Sequence, residues 1–123
     1  MQKSLKFCLA ALFFTIISFA QVAPLTISQV DVPPVFVGGQ QALNAFVASN
    51  IVIPEAEGVT GVIKVNFVIE IDGSLTNIKI IQNLGPEFAT AANDVFKISP
   101  KWLPGEANGN KVRVLMEYPI TIK

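Results

Sequence analysis

The chain has 123 residues, of which 51% are hydrophobic and 15% charged, and its nine basic side chains balance nine acidic ones. This length suffices for one domain with a modest core, and the lack of a basic excess argues against nucleic acid or an anionic membrane as partner. Histidine is absent and Cys8 is the single cysteine. Because the commonest general base, thiol nucleophile and metal ligand are missing or scarce, we expect no enzymatic activity, metal site, cofactor or small-molecule substrate.

Residues 1–20 have the pattern of an export signal peptide. Lys3 and Lys6 precede an apolar run from Phe7 to Ala20. A membrane-spanning helix needs roughly 17–25 apolar residues, so this run favours a cleaved signal over a retained anchor. We therefore expect an exported, periplasmic protein that has lost Cys8 with its signal; retention of residues 1–20 as an inner-membrane anchor is the alternative.

Residues 21–37 are predicted to be a proline-containing arm that precedes the domain at residues 38–123. Prolines keep this segment extended and remove backbone donors; they are Pro24, Pro33 and Pro34. We therefore expect no helix or regular strand within the arm.

A helix is predicted directly after Gly38-Gly39. Leu43, Phe46 and Val47 recur at the spacing of one helical face. Asn50 is expected to end this helix in the left-handed conformation, which asparagine tolerates.

The segment GVIKVNFVIEIDGSLTNIKIIQ, residues 61–82, predicts a β-hairpin. Apolar and polar side chains alternate from Ile63 to Ile71, as in a strand with one buried face. Asp72-Gly73 supplies the residues that a type I′ turn requires. Alternation resumes at Ile78 and Ile80, so we expect two adjacent antiparallel strands.

A second helix and a last strand complete the predicted domain. Pro86 suits the first turn of a helix, and apolar residues follow at helical spacing from Phe88 to Ile98. The final segment, residues 112–122, alternates again. The sequence therefore predicts an α+β fold in the order helix, hairpin, helix, strand, with two helices packed on one face of a three-stranded antiparallel sheet.

The last strand is predicted to lie at an edge of the sheet, because Pro119 has no N–H to donate. An edge strand exposes backbone groups to which another strand can bind. The proline-free stretch is the predicted partner-binding edge: Val112, Arg113, Val114, Leu115, Met116, Glu117 and Tyr118. Two alternatives stay open, an edge that is merely shielded and an edge that pairs with its own copy in a homodimer.

Four segments at fixed spacing together resemble the C-terminal domain of TonB proteins. They are PPVFVGGQQAL, GVTGVIKVNFVIEIDG, PKWLPGEANGNKVRV and YPI. The resemblance covers about residues 32–123. It implies the TonB C-terminal fold and a role in TonB-dependent transmembrane transport. Such domains bind TonB-box segments of outer-membrane receptors in the periplasm, by β-augmentation at the last strand.

The resemblance also implies roles for single residues. It assigns Val112 to Tyr118 to the pairing edge, and Ile53-Pro54 to a contact loop where related sequences often have Tyr-Pro. Trp102 matches a structural tryptophan of the family and is expected in the core. Gly105 and Gly109 are expected at turns, as is Asp72-Gly73.

Energy-transducing members of the family also have a membrane helix with a histidine and a long linker. This sequence has no histidine, and residues 21–37 would reach about 60 Å when fully extended. We therefore expect a stand-alone protein-binding module whose partner is a transporter segment or another periplasmic protein. The alternatives are a membrane-anchored energy transducer for outer-membrane uptake and a self-associating structural domain.

Overall fold

A computed structural model describes residues 23–55 and 58–123; the predicted signal at residues 1–20 lies outside them. The helices are α1 (Gln40–Asn50) and α2 (Pro86–Lys97), with a 3-10 turn at Ile27–Gln29. The strands are β1 (Gly61–Ile69), β2 (Leu75–Gln82), β3 (Gly105–Ala107), β4 (Asn110–Val112) and β5 (Val114–Ile122). Within the described residues, no helix combines the length and apolarity needed to cross a membrane.

The main sheet has three antiparallel strands in the order β2-β1-β5. Its central strand β1 is the first strand of the predicted hairpin. β5 pairs with β1 without a register shift, from Gly61 opposite Ile122 to Ile69 opposite Val114. The predicted α+β fold and the order of its main elements are confirmed.

Both helices contribute to one apolar core on a single face of the sheet. The ring of Phe67 on β1 stacks on Phe96 of α2, with centroids 5.0 Å apart, and lies 5.6 Å from the ring of Trp102. Burial of each such side chain stabilises the fold by about 1.5–3 kcal/mol. The core consists of Phe36, Leu43, Val47, Ile63, Val65, Phe67, Ile69, Phe88, Ala92, Val95, Phe96, Trp102 and Ile120.

The turn between β1 and β2 differs from the predicted type I′ turn. Gly73 has a φ of 89°, whereas Asp72 is not in the positive-φ region that a type I′ turn requires at both central residues. The Glu70 N–H donates to the Ser74 carbonyl at 2.8 Å, which encloses a three-residue loop. Gly73 is needed for space, since a Cβ there would lie 2.1 Å from the Trp102 carbonyl oxygen.

A short hairpin of β3 and β4, which was not predicted from the sequence, contains the type I′ geometry instead. Its two-residue loop, Asn108-Gly109, has φ values of 53° and 80°. Gly105 was expected at a turn, and this is wrong: it is the buried first residue of β3. A Cβ on Gly105 would lie 2.7 Å from Cγ2 of Val114, so close packing on β5 requires glycine.

The helices begin and end close to where the sequence predicts, but Asn50 ends α1 in a different way from the one expected. Gly39, with a φ of 91°, caps α1, and Pro86 is in the first turn of α2 as predicted. Asn50 ends α1 but does not adopt the left-handed conformation. Its side-chain Nδ2 donates to the Phe46 carbonyl at 2.7 Å, an additional hydrogen bond at the end of the helix.

The described part of the predicted arm packs along the domain through three isolated β-bridges. Val35 pairs with Leu103, Val32 with Glu106, and Leu25 with Val114. Phe36 is buried in the core, where its ring meets Trp102 edge-on at 5.3 Å. The arm is therefore a packed part of the structure from Leu25 onward.

Candidate strand-binding edge

The two edges of the sheet differ in regularity. The pairing of β2 with β1 has two register shifts, and Asn77 in β2 has a φ of 52°. Such irregularities bend an edge and hinder the addition of a further strand. β5 is regular over its whole length, so it is the better template for a partner strand.

One hydrogen bond shows which residues of β5 point their backbone groups away from β1. The Leu115 N–H donates to the Leu25 carbonyl at 2.8 Å and so points away from β1. Alternate residues of a strand point their peptide groups the same way, so Glu117, Pro119 and Thr121 also face outward. Pro119 is thus at a position where a missing N–H costs the sheet no hydrogen bond.

The chain itself occupies the first part of this edge. Leu25 pairs in parallel with β5, and its N–H donates to the Arg113 carbonyl at 2.9 Å. Val112, the first residue of the predicted edge, lies in β4 and pairs with Gly105. Among the described residues, no strand pairs with the outer side of β5 beyond Leu115, although the 3-10 turn at Ile27–Gln29 approaches β5 next to Leu25. We call the outer side of β5 from Leu115 to Ile122 the open edge.

Within the predicted set Val112 to Tyr118, the structure separates two groups of residues. Val114, Met116 and Tyr118 lie opposite the core residues Ile69, Phe67 and Val65 of β1, so their side chains share the face that carries the core. Leu115 and Glu117 have exposed side chains on the opposite face. A partner strand would therefore bond to the backbone of Leu115 and Glu117 and place alternate side chains beside Met116 and Tyr118.

An ion pair fixes the start of β5 to the hairpin turn. Arg113 Nε donates to Glu70 Oε1 at 2.7 Å and Arg113 Nη2 to Glu70 Oε2 at 3.0 Å. Their side chains are only 18% and 21% exposed, and Thr76 Oγ1 donates to the same carboxylate. The hydrogen bonds from Arg113 hold the pKa of Glu70 below its ordinary value. The Arg113 side chain thus has a structural role, and its backbone carbonyl already accepts a hydrogen bond from Leu25.

Two grooves lie beside the open edge, between β5 and the elements that precede β1. The first groove has a volume of about 420 Å³ and lies between β5 and the segment from Pro34 to Leu43. The second groove, of about 410 Å³, lies between β5 and the C-terminal half of α1. Tyr118 contributes to both grooves, and its hydroxyl donates to Asn44 Oδ1 at 2.6 Å, which forms a bridge between them. Burial raises the pKa of the Tyr118 hydroxyl.

The predicted contact loop meets the site through one of its two residues. Ile53 is 39% exposed and lines the second groove. Pro54 follows it outside that groove. The apolar side chain of Ile53 thereby extends the wall that α1 forms along the second groove.

Trp102 lies in the core and also lines the first groove. Its side chain is 4% exposed, and its Nε1–H donates to Ser99 Oγ at 3.0 Å. The Trp102 N–H donates to the Gly73 carbonyl, which joins the groove to the hairpin turn. Replacement of this side chain would therefore disturb both the core and the groove.

The described residues contain no group of three or more side chains that could hold a metal ion. The carboxylates there have structural partners or face solvent: Asp72 accepts from the Ser74 N–H and hydroxyl. These hydrogen bonds lower the pKa of Asp72. What the site offers is backbone hydrogen bonding beside apolar grooves, which suits a peptide strand.

Comparisons with known proteins identify the family and the fold. The family described as Gram-negative bacterial TonB protein C-terminal matches residues 54–122. The NMR solution structure of the TonB C-terminal domain from Helicobacter pylori is similar, with a TM-score of 0.52 at 26% identity over 68% of this chain and 90% of that one. A search of curated proteins gives no match. The family match includes the sheet and α2 and leaves out the arm and α1.

Proposed function

Because the chain belongs to the TonB C-terminal domain family, we propose that it is a periplasmic module that binds extended segments of outer-membrane transporters at the open edge of β5. The family supports a TonB-like, protein-interacting module in TonB-dependent transport. The finer claim, strand addition to this chain, rests on one observation. β5 already binds one residue of the arm, Leu25, in an isolated parallel bridge with two backbone hydrogen bonds of 2.8 and 2.9 Å.

The free backbone groups set the expected strength of binding. The open edge offers carbonyls at Leu115, Glu117, Pro119 and Thr121, and N–H groups at Glu117 and Thr121. Each hydrogen bond contributes about 0.5–1.5 kcal/mol net, and ordering a flexible partner costs about 2–5 kcal/mol. We therefore expect micromolar or weaker affinity, in keeping with transient contact with a transporter.

The location proposed for this module is the periplasm, after removal of residues 1–20. The competing proposal is a transducer that keeps these residues as an inner-membrane anchor. Expression in a Gram-negative host, fractionation and intact mass separate the two. A soluble periplasmic species that begins at Gln21 supports the free module, whereas a full-length species in the inner membrane supports the transducer.

The binding claim is tested with Thr121→Pro, which removes one of the two outward N–H groups at the open edge. Thr121→Val is the matched control, since it keeps the N–H and the β-branched shape. Affinity for a TonB-box-like peptide should fall about 2- to 10-fold in the proline variant and stay within twofold in the control. Equal affinity for all three proteins would show that the peptide binds elsewhere.

Mass measured against protein concentration tests self-association at the same edge. A monomer at high concentration supports a site that is free for a different protein. A dimer that Thr121→Pro dissociates would indicate that the edge pairs with its own copy instead.

A further inference from the structure

We infer that the two grooves beside β5 select the partner: its strand should have large apolar side chains four residues apart and a small residue midway. This inference rests on the proposed strand addition and specifies the kind of segment that the open edge accepts. It depends on the register of Leu25, the lining of each groove, and the hydrogen bond that separates them.

Leu25 defines the register that a partner strand would continue. It lies opposite Val114 in a parallel bridge, and laterally paired residues have side chains on the same face. Val114 shares the core-facing side of β5 with Met116, Tyr118 and Ile120. In the same register, partner residues at positions one, three and five would lie opposite Met116, Tyr118 and Ile120, with their side chains toward the grooves.

The first groove would receive the side chain opposite Met116. Its lining is largely apolar and aromatic, and 420 Å³ gives room for a leucine or phenylalanine side chain. Burial of a large apolar side chain in such a groove is favourable in proportion to the area removed from water. The apolar lining includes Phe36, Leu43, Trp102, Met116 and Tyr118.

The second groove would receive the side chain opposite Ile120. It is bounded on one side by β5 and on the other by α1 and the residues that follow it. No charged side chain lines it apart from Lys123, at the end of the chain. Its apolar lining includes Val47, Ala48, Ile51, Ile53, Ile120 and Ile122.

The partner residue midway between these two side chains would face the hydrogen bond from Tyr118 to Asn44. The hydrogen bond of 2.6 Å joins β5 to α1 across the site. A large side chain opposite Tyr118 would have to break this bond or displace the tyrosine ring from Phe96, which it meets at 5.7 Å. Alanine, serine or glycine would fit without either change.

The α1 wall belongs to the part of the chain outside the matched family region of residues 54–122. Gln40 lines the first groove and Ala48 the second, and both side chains are exposed. Both can therefore be enlarged without removing a core contact, and Gln40→Phe removes one surface hydrogen bond, from Gln40 Nε2 to Asn44 Oδ1 at 3.2 Å. Their neighbours Gln41 and Ala45 are exposed on the same helix and line neither groove, which makes them matched controls.

The experiment uses the exported chain from residue 21 and a blocked heptapeptide, TLTATLT, whose leucines are four residues apart. Amide chemical shifts report binding as the peptide is titrated into the protein. Replacement of either leucine by alanine should weaken binding about 10-fold or more, because most of the apolar area that the leucine buries in its groove is lost. Replacement of the central alanine by phenylalanine should weaken it by a similar factor.

Groove-filling variants assign each leucine to one groove. Ala48→Phe should abolish the preference for the second leucine over alanine, and Gln40→Phe the preference for the first. Ala45→Phe and Gln41→Phe should leave both preferences unchanged. These side chains are on the helix surface, so melting temperatures of all four variants should match that of the unchanged protein.

The outcomes separate this inference from the proposed function. If the peptide shifts the amides of Glu117 and Thr121 but leucine and alanine bind equally well, the selection by grooves is wrong and strand addition stands. If no peptide shifts those amides at millimolar concentration, both are overturned. Loss of preference in the control variants would also contradict the inference, since it would place the leucines outside the grooves.

Discussion

Leu25 of the arm occupies the start of the β5 edge. We therefore expect that its release strengthens the binding of a sufficiently long partner strand. Leu25→Pro removes the N–H that donates to the Arg113 carbonyl at 2.9 Å, and it follows Pro24, so the local backbone stays extended. Once the arm leaves, a partner strand gains the Arg113 carbonyl and the Leu115 N–H. Two backbone bonds of about 0.5–1.5 kcal/mol each correspond to a gain of about 5- to 150-fold in affinity.

Peptide length provides the assay for this prediction. A peptide that covers the edge from Arg113 to Thr121 should bind Leu25→Pro more tightly, whereas one that begins opposite Glu117 should bind both proteins equally. Leu25→Ile, which keeps the N–H and the apolar side chain, is the matched control. Equal affinity of the long peptide for Leu25→Pro and the control would refute the view that the arm competes for this edge.

Three further predictions concern stability, each measured by urea unfolding. Gly73→Ala should cost about 2 kcal/mol or more, because its Cβ would lie 2.1 Å from the Trp102 carbonyl oxygen; Gly109→Ala, with open space, should cost about 1–2 kcal/mol. Trp102→Ala should cost about 3–5 kcal/mol, and a loss below 1 kcal/mol would contradict its place in the core. The pKa of Glu70 is lowered from 4.5, chiefly by its hydrogen bonds from Arg113, so the stability from this pair is present above pH 4.5 and is lost as pH falls through the lowered value. Glu70→Gln should therefore cost about 1 kcal/mol at pH 7 and progressively less as the pH is lowered below 4.5.

The repeating patterns of the sequence were sufficient to predict the main elements of the fold. Alternation along β1 and β5 and helical spacing in α1 and α2 are local signals of burial on one face. Pro119 indicated an edge strand because the reason is also local, a missing backbone donor. These signals located the sheet and the helices, although β1 ends at Ile69 before the predicted Ile71 and the predicted strand at residues 112–122 is divided between β4 and β5.

Features that depend on contacts between distant segments were not predicted. The need for glycine at position 73 follows from the close approach of the Trp102 carbonyl, and the need for Gly105 follows from its contact with Val114. Neither neighbour is evident from the local sequence. The short hairpin of β3 and β4 has strands of three residues, too few to show alternation.

The candidate site was predicted only in part for the same reason. Sequence patterns indicated β5 as a pairing edge, but Leu25 reaches it from the other end of the domain and moves the open edge toward Thr121. The α1 wall of the grooves is formed by exposed residues such as Gln40 and Ala48, whose identity carries no signal of a partner. Their proximity to β5 becomes visible only in the folded chain.

The most direct test of strand addition is an amide chemical-shift titration of the isotope-labelled chain with a TonB-box-like peptide. We expect the amides of Glu117 and Thr121 to shift most and to become protected from hydrogen exchange, while the amide of Lys79 on the opposite edge keeps its chemical shift and its exchange rate. Shifts centred on β2, or no shift at millimolar peptide, would contradict the claim that β5 is the edge to which a partner strand binds.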